Sequence, residues 1–266
     1  MIVAAHQPGY LPWLGYLHKI AHSDVFVLMD DMQYEAQNFQ NRNRVKMSTG
    51  AQWLTVPLAR GPREERICDK RINNVASDKE HWQRRTLLSL KNAYGRAPHF
   101  ARYADDLEDV YTQPWDKLVD LDVHLLQLLL RWFGISRPIL RASSLGLEGQ
   151  RTARIVDMCK RLGADVYLSG KGGSVGYLEV ERFDEVGVRV AWQEFAHPVY
   201  PQRYPSQGFV PHLSALDMLL NCGPDSHALL LGEQAAAATS QAHSAADGAA
   251  SGAQPSQPPS LVAVER

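Results

Sequence analysis

Residues 1–31 read MIVAAHQPGYLPWLGYLHKIAHSDVFVLMDD, and they decide the fold class. Met1–Ala5 is a short apolar run carrying β-branched Ile2 and Val3, a first strand. Pro8, Gly9 and Pro12 bar a regular element directly after it. From Trp13 to Ala21 the apolar residues Leu14, Leu17, Ile20 and Ala21 recur at helical spacing. Asp24–Met29 (DVFVLM) is too short for a buried helix and is bounded by Asp30 and Asp31, so it reads as a second strand. Strand, helix and strand in that order open a βαβ unit and predict a parallel α/β sheet.

Outward from this start the pattern continues. Gln52–Leu58 (QWLTVPL) reads as a strand closed by Pro57 and the Gly61-Pro62 turn. A helical block over about 78–133 follows: Asp78–Tyr94 with Ser77 or Asp78 as N-cap, then Asp105–Tyr111, then Trp115–Phe133 up to Gly134. Pro138–Ala142 is a short strand, Thr152–Leu162 a helix stopped by Gly163, and Ala164–Ser169 the next strand. Gly187–Glu194 alternates as a strand, and Leu213–Asn221 is a closing helix before Gly223. The expected architecture is α/β, a mostly parallel, Rossmann-like sheet with an inserted helical block. Residues 1–232 are expected to form a single domain. Residues 233–266 are rich in Ala, Ser, Gln, Gly and Pro without any Phe, Trp or Tyr, which is the composition of a disordered tail.

The charge balance narrows the function. Among 266 residues, 28 Lys and Arg face 29 Asp and Glu, a formal net charge of −1, which argues against a general nucleic-acid binder. No run approaches the roughly 20 consecutive apolar residues of a membrane span. His6, Gln7 and Pro8 interrupt the N-terminal apolar run, so no secretory signal is expected. Cys68, Cys159 and Cys222 are odd in number and widely spaced, which suits a reducing cytoplasm better than a disulfide framework.

Four polar segments follow strand ends, where open α/β sheets place their ligands. The first is His6 to Lys19, with His6 suited to proton transfer and Gln7 and Tyr10 beside it as binding groups. The second, Asp30 to Lys46, combines the carboxylate of Asp30 with Gln33, Asn41 and Asn43, and adds Arg42 and Arg44, whose forks suit phosphate or carboxylate. Against this stands a solvated Asn/Arg-rich loop, which Phe39, a residue expected to pack down, disfavours. The third, Val166 to Glu179, offers Ser169, Gly170, Lys171 and Tyr177, and its glycines can cradle phosphate through backbone N–H groups. It matches no established phosphate-loop register, so a plain turn competes with that reading. The fourth is Gln193 to Pro205, with His197 as a second base only if it converges on His6. No metal-binding spacing occurs, and nothing in the residues names a cofactor. Cys222, at the end of the closing helix, reads as packing rather than as a nucleophile.

Taken in order, IVAAHQPGYLPWLGYLHKI, VFVLMDDMQY, FQNRNRVK, QWLTVPL, KNAYGRAPHF, ADVYLSGKGGSVGYLE, QEFAHPVYPQ and FVPHLSALDMLLNCG resemble the WbqC-like family over Ile2 to Gly223. The resemblance implies a cytoplasmic role in bacterial pathways for lipopolysaccharide O-antigen, other surface glycans or secondary metabolites, and assigns no catalytic residues. More distantly, Pro12 to Leu17 is similar to the histidine-x-glycine-histidine loop of nucleotidyltransferases, with Trp13 and Tyr16 where that loop has histidines. Three functions therefore stand open. One is a transferase acting on an activated sugar or amino-acid-type building block, its small-molecule substrate carried on a nucleotide or another activating group. The second is ATP-using nucleotidyl transfer or ligation, and the third a non-catalytic component of a glycan-assembly complex. Oligomeric state is not encoded legibly. All three sharpen into one geometric expectation: His6–Gln7, Asp30–Gln33 with Arg42–Arg44, and Ser169–Lys171 line one pocket, with His197 at its rim.

Overall fold

The computed structural model describes residues 1–75, 82–172, 176 and 178–232. The expected cap at Ser77 or Asp78, the candidate Tyr177 and the expected disordered tail 233–266 lie outside the described residues.

The N-terminal apolar run forms strand β1 (Ile2–His6), and the helical pattern after it forms α1 (Leu14–Ala21). DVFVLM supplies β2 (Val25–Leu28), which pairs parallel with β1 from Val3–Val25 to His6–Leu28. Three later strands join the same sheet: β5 (Ile139–Arg141), β6 (Val166–Ser169) and β7 (Arg189–Trp192). All pairings are parallel and the spatial order is β5-β2-β1-β6-β7. The chain thus steps outward from β1 to one edge, returns across the centre, and steps outward again on the far side. The reversal falls between β1 and β6, and a crevice opens beyond the strand ends at such a switch point.

Strand alternation sorts the central residues between two layers. Ala4 and Leu28 face one core, with Leu14, Leu17 and Ile20 of α1. Val3, Ala5 and Val27 face the other, with Val156, Met158 and Cys159 of α5 (Arg151–Leu162) and Phe183 of α6 (Glu181–Asp184). Gly163 ends α5 in the left-handed conformation (φ 66°), the stop expected from the sequence. The first layer also takes α7 (Leu216–Cys222) and α8 (Ser226–Leu231).

Between β2 and β5 the chain inserts a hairpin and a helical block. The hairpin pairs β3 (Arg42–Met47) with β4 (Gly50–Thr55) in antiparallel register, with Arg44 opposite Trp53. The strand expected within QWLTVPL is present and forms one side of this hairpin. One expectation is corrected: Arg42–Lys46 is a strand rather than a loop. The cause is a period of two hidden by polarity: Asn43 and Val45 turn inward, while the Arg42 guanidinium lies 4.4 Å from the Trp53 ring centre and that of Arg44 5.7 Å. Helices α2 (Trp82–Tyr94), α3 (Phe100–Thr112) and α4 (Leu118–Trp132) follow as expected in order. α4 is buried almost along its length through Leu118, Leu121, Leu125 and Leu129, each buried leucine contributing about 1.5–3 kcal/mol. Among the described residues no helix is long and apolar enough to cross a membrane.

Candidate functional site

A cleft of about 980 Å³ opens at the β1/β6 switch point, walled by His6, Gln7, Tyr10 and Trp13 after β1 and by Gly170 and Gly172 after β6. The segment 35–40 closes it from above through Glu35, Asn38, Phe39 and Gln40. This segment is tied down, not free. Gln40 donates to the Gln7 side chain at 2.8 Å, the Tyr10 N–H bonds the Phe39 carbonyl at 3.0 Å, and Asn38 donates to Glu35 at 2.9 Å. Below, the Tyr10 hydroxyl meets that of Tyr111 on α3 at 2.6 Å, which fixes the floor to the helical block.

His6 closes β1, and its imidazole is held on two sides. Its Nδ1 lies 3.0 Å from the Gln7 carbonyl, and the Tyr16 ring packs edge-on with centres 4.9 Å apart. A carbonyl only accepts, so Nδ1 carries the proton and Nε2 keeps its lone pair. The open surface of the ring faces the cleft, and the protein around it makes a positive charge costly. Desolvation, followed by the charge of Lys19, lowers the His6 pKa to about 4. His6 is thus a neutral imidazole at physiological pH with an acceptor nitrogen.

Lys19 completes the site, and the sequence reading missed it. It lies on α1 three residues after Tyr16, on the same helix face, and long helical side chains lean toward the helix N-terminus, here the cleft edge. It is only 7% exposed, lines the cleft, and makes no hydrogen bond or ion pair among the described residues. Burial lowers its pKa to about 8. A methyl group placed on Gly170 would lie 3.2 Å from its Nζ, so the ammonium rests over the backbone just past β6.

Two further cations line the cleft, Arg151 and Arg154, both in the first turn of α5. Arg154 pairs with Asp31 and donates to the Leu147 carbonyl at 2.6 Å. Glu35 is the single carboxylate among the lining residues. Helices α1 and α5 both begin at the cleft without a side-chain cap and with no acidic residue in the first turn. The local field therefore favours an anion. Backbone strain gathers here as well. Of the five described non-glycine residues with positive φ, Arg151 (50°) and His212 (57°) line the cleft, and Leu11 (46°) sits between the lining residues Tyr10 and Pro12.

The sequence model of the WbqC-like protein family matches residues 7–228. The chain belongs to the WbqC-like family. It is 34% identical over 227 residues to the uncharacterized protein Rv1507c of Mycobacterium tuberculosis, covering 84% of this chain and 95% of that one. No solved structure matches the chain.

In this WbqC-like chain His6, Gln7, Tyr10, Asn43 and Gly170 come together as cleft-lining residues. Asn43 also braces the turn, donating to the Leu11 carbonyl at 2.7 Å. Other candidates stand elsewhere. Asp30 is fully buried beneath the strand ends and accepts from Arg141 Nε, the Ser143 N–H and the Ser143 hydroxyl at 2.7, 2.9 and 2.8 Å. Among the described residues these bonds are all internal, and they anchor the end of β2 to the segment after β5. Gln33 donates to the Arg63 carbonyl and Asn41 to that of Val56, both at 2.8 Å. Arg42 and Arg44 lie against Trp53, and Arg42 donates to the Gln37 carbonyl. Lys171 pairs with Glu194 outside the lining, and the buried Ser169 hydroxyl points at no partner among the described residues. His197 stands one ring behind the wall. Its Nδ1 donates to the Pro198 carbonyl at 2.9 Å and its Nε2 accepts the His212 N–H at 3.2 Å, so both nitrogens are spent on the loop. The ring that reaches the cleft is His212.

Burial pushes the Cys159 thiol up to about 12 and that of Cys222 to about 11, which leaves neither a thiolate at neutral pH. Among the described residues no group of three or more His, Cys, Asp or Glu is placed to hold a metal ion.

Proposed function

We propose that this WbqC-like protein is a cytoplasmic biosynthetic transferase that binds an activated, anionic small molecule in the β1/β6 cleft. His6 Nε2 acts as the general base on the acceptor group. The observation that carries this reading is the pairing of a neutral His6, whose Nδ1 proton is committed to Gln7, with the unpaired ammonium of Lys19 in one cleft. A base whose lone pair is free at pH 7 takes a proton from a hydroxyl or amine. A nearby cation and two helix N-termini stabilise negative charge on the donor. Gln7 positions the substrate, and Tyr10 and Asn43 hold the floor and the turn of the cleft in place behind it. The acceptor is a sugar or amino-acid-type building block, in keeping with a role in surface-glycan or secondary-metabolite assembly.

Nucleotidyl transfer has less to stand on. The Trp13 ring lies over Gly15 and the Tyr16 hydroxyl donates to the Gln7 carbonyl at 3.1 Å, so both serve packing where phosphate ligands would be needed.

The test is a thermal-shift panel of nucleotide sugars and nucleoside triphosphates, followed by turnover assays with the hits. A ligand at 100 times its Kd adds about 2.7 kcal/mol, well within detection. His6→Gln is expected to keep the ligand-induced shift and lose turnover by roughly 10²–10⁴-fold, the usual worth of a positioned base. Undiminished turnover in His6→Gln removes His6 from the chemistry.

A further inference from the structure

Lys19 is costly where it stands. An ammonium withdrawn from water without a carboxylate or carbonyl partner destabilises the fold, and a methionine of similar length would fill the same space more cheaply. Nothing in the packing of α1 requires a charge at this position: Leu14, Leu17 and Ile20 already fix the helix to the sheet. The fold therefore holds at the cleft a mostly buried cation with no hydrogen-bond or ion-pair partner among the described residues, its Nζ still reached from the cleft.

Its surroundings define that partner. Nζ stands over Gly170, where the absence of a side chain leaves the backbone after β6 open to the cleft. Arg151, exposed at the start of α5, lines the same cleft and is held in a left-handed conformation (φ 50°). Both α1 and α5 start at this cleft without a side-chain cap or an acidic residue in the first turn, so the positive ends of two helix dipoles add to the field. A planar carboxylate is best met by one bidentate fork, whereas a phosphoryl group accepts donors from several directions and suits the point charge of a lysine.

We propose that Lys19, Arg151 and the backbone at Gly170 form a phosphoryl subsite, so that the activated substrate of the cleft is a phosphate- or diphosphate-bearing donor. The inference rests on the reading of the cleft as the substrate site, and it assigns the leaving group instead of the base. In the transfer step the acceptor oxygen or nitrogen bonds to the donor carbon as the carbon–oxygen bond to phosphate breaks. The acceptor proton passes to His6 Nε2, and the electron pair leaves on the phosphoryl oxygen beside Lys19.

The experiment is calorimetric titration of the full chain with inorganic diphosphate, inorganic phosphate and acetate, each at pH 7. Wild-type protein is expected to bind diphosphate, and Lys19→Met to bind it at least tenfold more weakly while melting at the same or a higher temperature without ligand. Gly170→Ala, which sets a methyl beside Nζ, is a second variant expected to weaken diphosphate binding. Lys91→Met, which removes a surface ion pair with Glu108, is expected to bind as wild type. Diphosphate affinity unchanged in both Lys19→Met and Gly170→Ala overturns the proposal. So does acetate binding as tightly as phosphate, or no diphosphate binding by wild type at millimolar concentration. His6→Gln is expected to retain diphosphate binding, so loss of the base assignment and loss of the subsite are separate results.

Discussion

The proton on His6 Nδ1 is fixed by the carbonyl of the next residue, Gln7, 3.0 Å away. Although the ring is open to the cleft on one side, the surrounding protein and the nearby charge of Lys19 lower its pKa to about 4, below the ordinary value near 6.5. As pH falls below 6.5 the unfolded chain takes up a proton that the folded chain refuses, so stability is lost as pH drops from 6.5 toward 4. His18, also lowered to about 4 by burial and then by His22, contributes in the same direction. Urea unfolding of His6→Gln at pH 7 and pH 5 is expected to show a smaller fall than wild type. An identical fall contradicts the assigned environment.

Gly15 lies under the Trp13 indole, and a Cβ there would meet the ring at 2.3 Å. Alanine favours a helix by up to about 1 kcal/mol over glycine. Here the clash dominates, since overpacking a buried contact costs roughly 1–3 kcal/mol and the ring must leave the cleft wall. Gly15→Ala is expected to lower stability in urea unfolding and to weaken ligand-induced thermal shifts.

Asp30 reaches across the sheet edge to Arg141 and Ser143, with no exposure to solvent. Removing its carboxylate takes an acceptor from Arg141 Nε, the Ser143 N–H and the Ser143 hydroxyl, while the partly exposed Arg141 keeps Asp120 as a second partner. Asp30→Ala is expected to cost about 1–3 kcal/mol in denaturant unfolding, the worth of the donors it leaves without an acceptor. A near-neutral effect on stability with complete loss of turnover restores Asp30 as a catalytic candidate.

How far the sequence carries can be seen at β1 and at Arg44. Strand, helix and strand over residues 2–28 are local patterns, and the parallel sheet with His6 and Gly170 at one edge follows from the rules of α/β connection. The hairpin was not legible, because its alternation runs between Arg42, Arg44 and Asn43, Val45 and becomes visible only when Trp53 is placed opposite. The surroundings of Asp30 were hidden for a related reason: a carboxylate after a strand gives no sign of Arg141 and Ser143, more than a hundred residues away, which occupy its oxygens. Lys19 was hidden inside an apolar helix, although its spacing of three from Tyr16 already puts both on one face. His197 and His212 are told apart only by the loop that uses both nitrogens of the first.

Asp122 on α4 is buried, and neither carboxylate oxygen has a hydrogen-bond partner among the described residues. Burial pushes its pKa well above the ordinary carboxylate value, so the folded protein holds it as the neutral acid. Above about pH 4 the unfolded chain ionises this group and the folded chain does not, so stability falls as pH rises until the folded pKa is passed. Asp122→Asn removes that dependence. Its stability relative to wild type is expected to be greater at pH 8 than at pH 5, read by urea unfolding at both.

A crystal structure of the full chain with the activated donor that raises its melting temperature most bears directly on the cleft. The expected result is donor seated between the ends of β1 and β6, its phosphoryl oxygens on Lys19 Nζ and the Gly170 backbone. The transferable carbon then faces His6, with an acceptor site within about 3 Å of Nε2. Donor bound away from this cleft, or bound within it with His6 Nε2 facing no reacting group, contradicts the assignment.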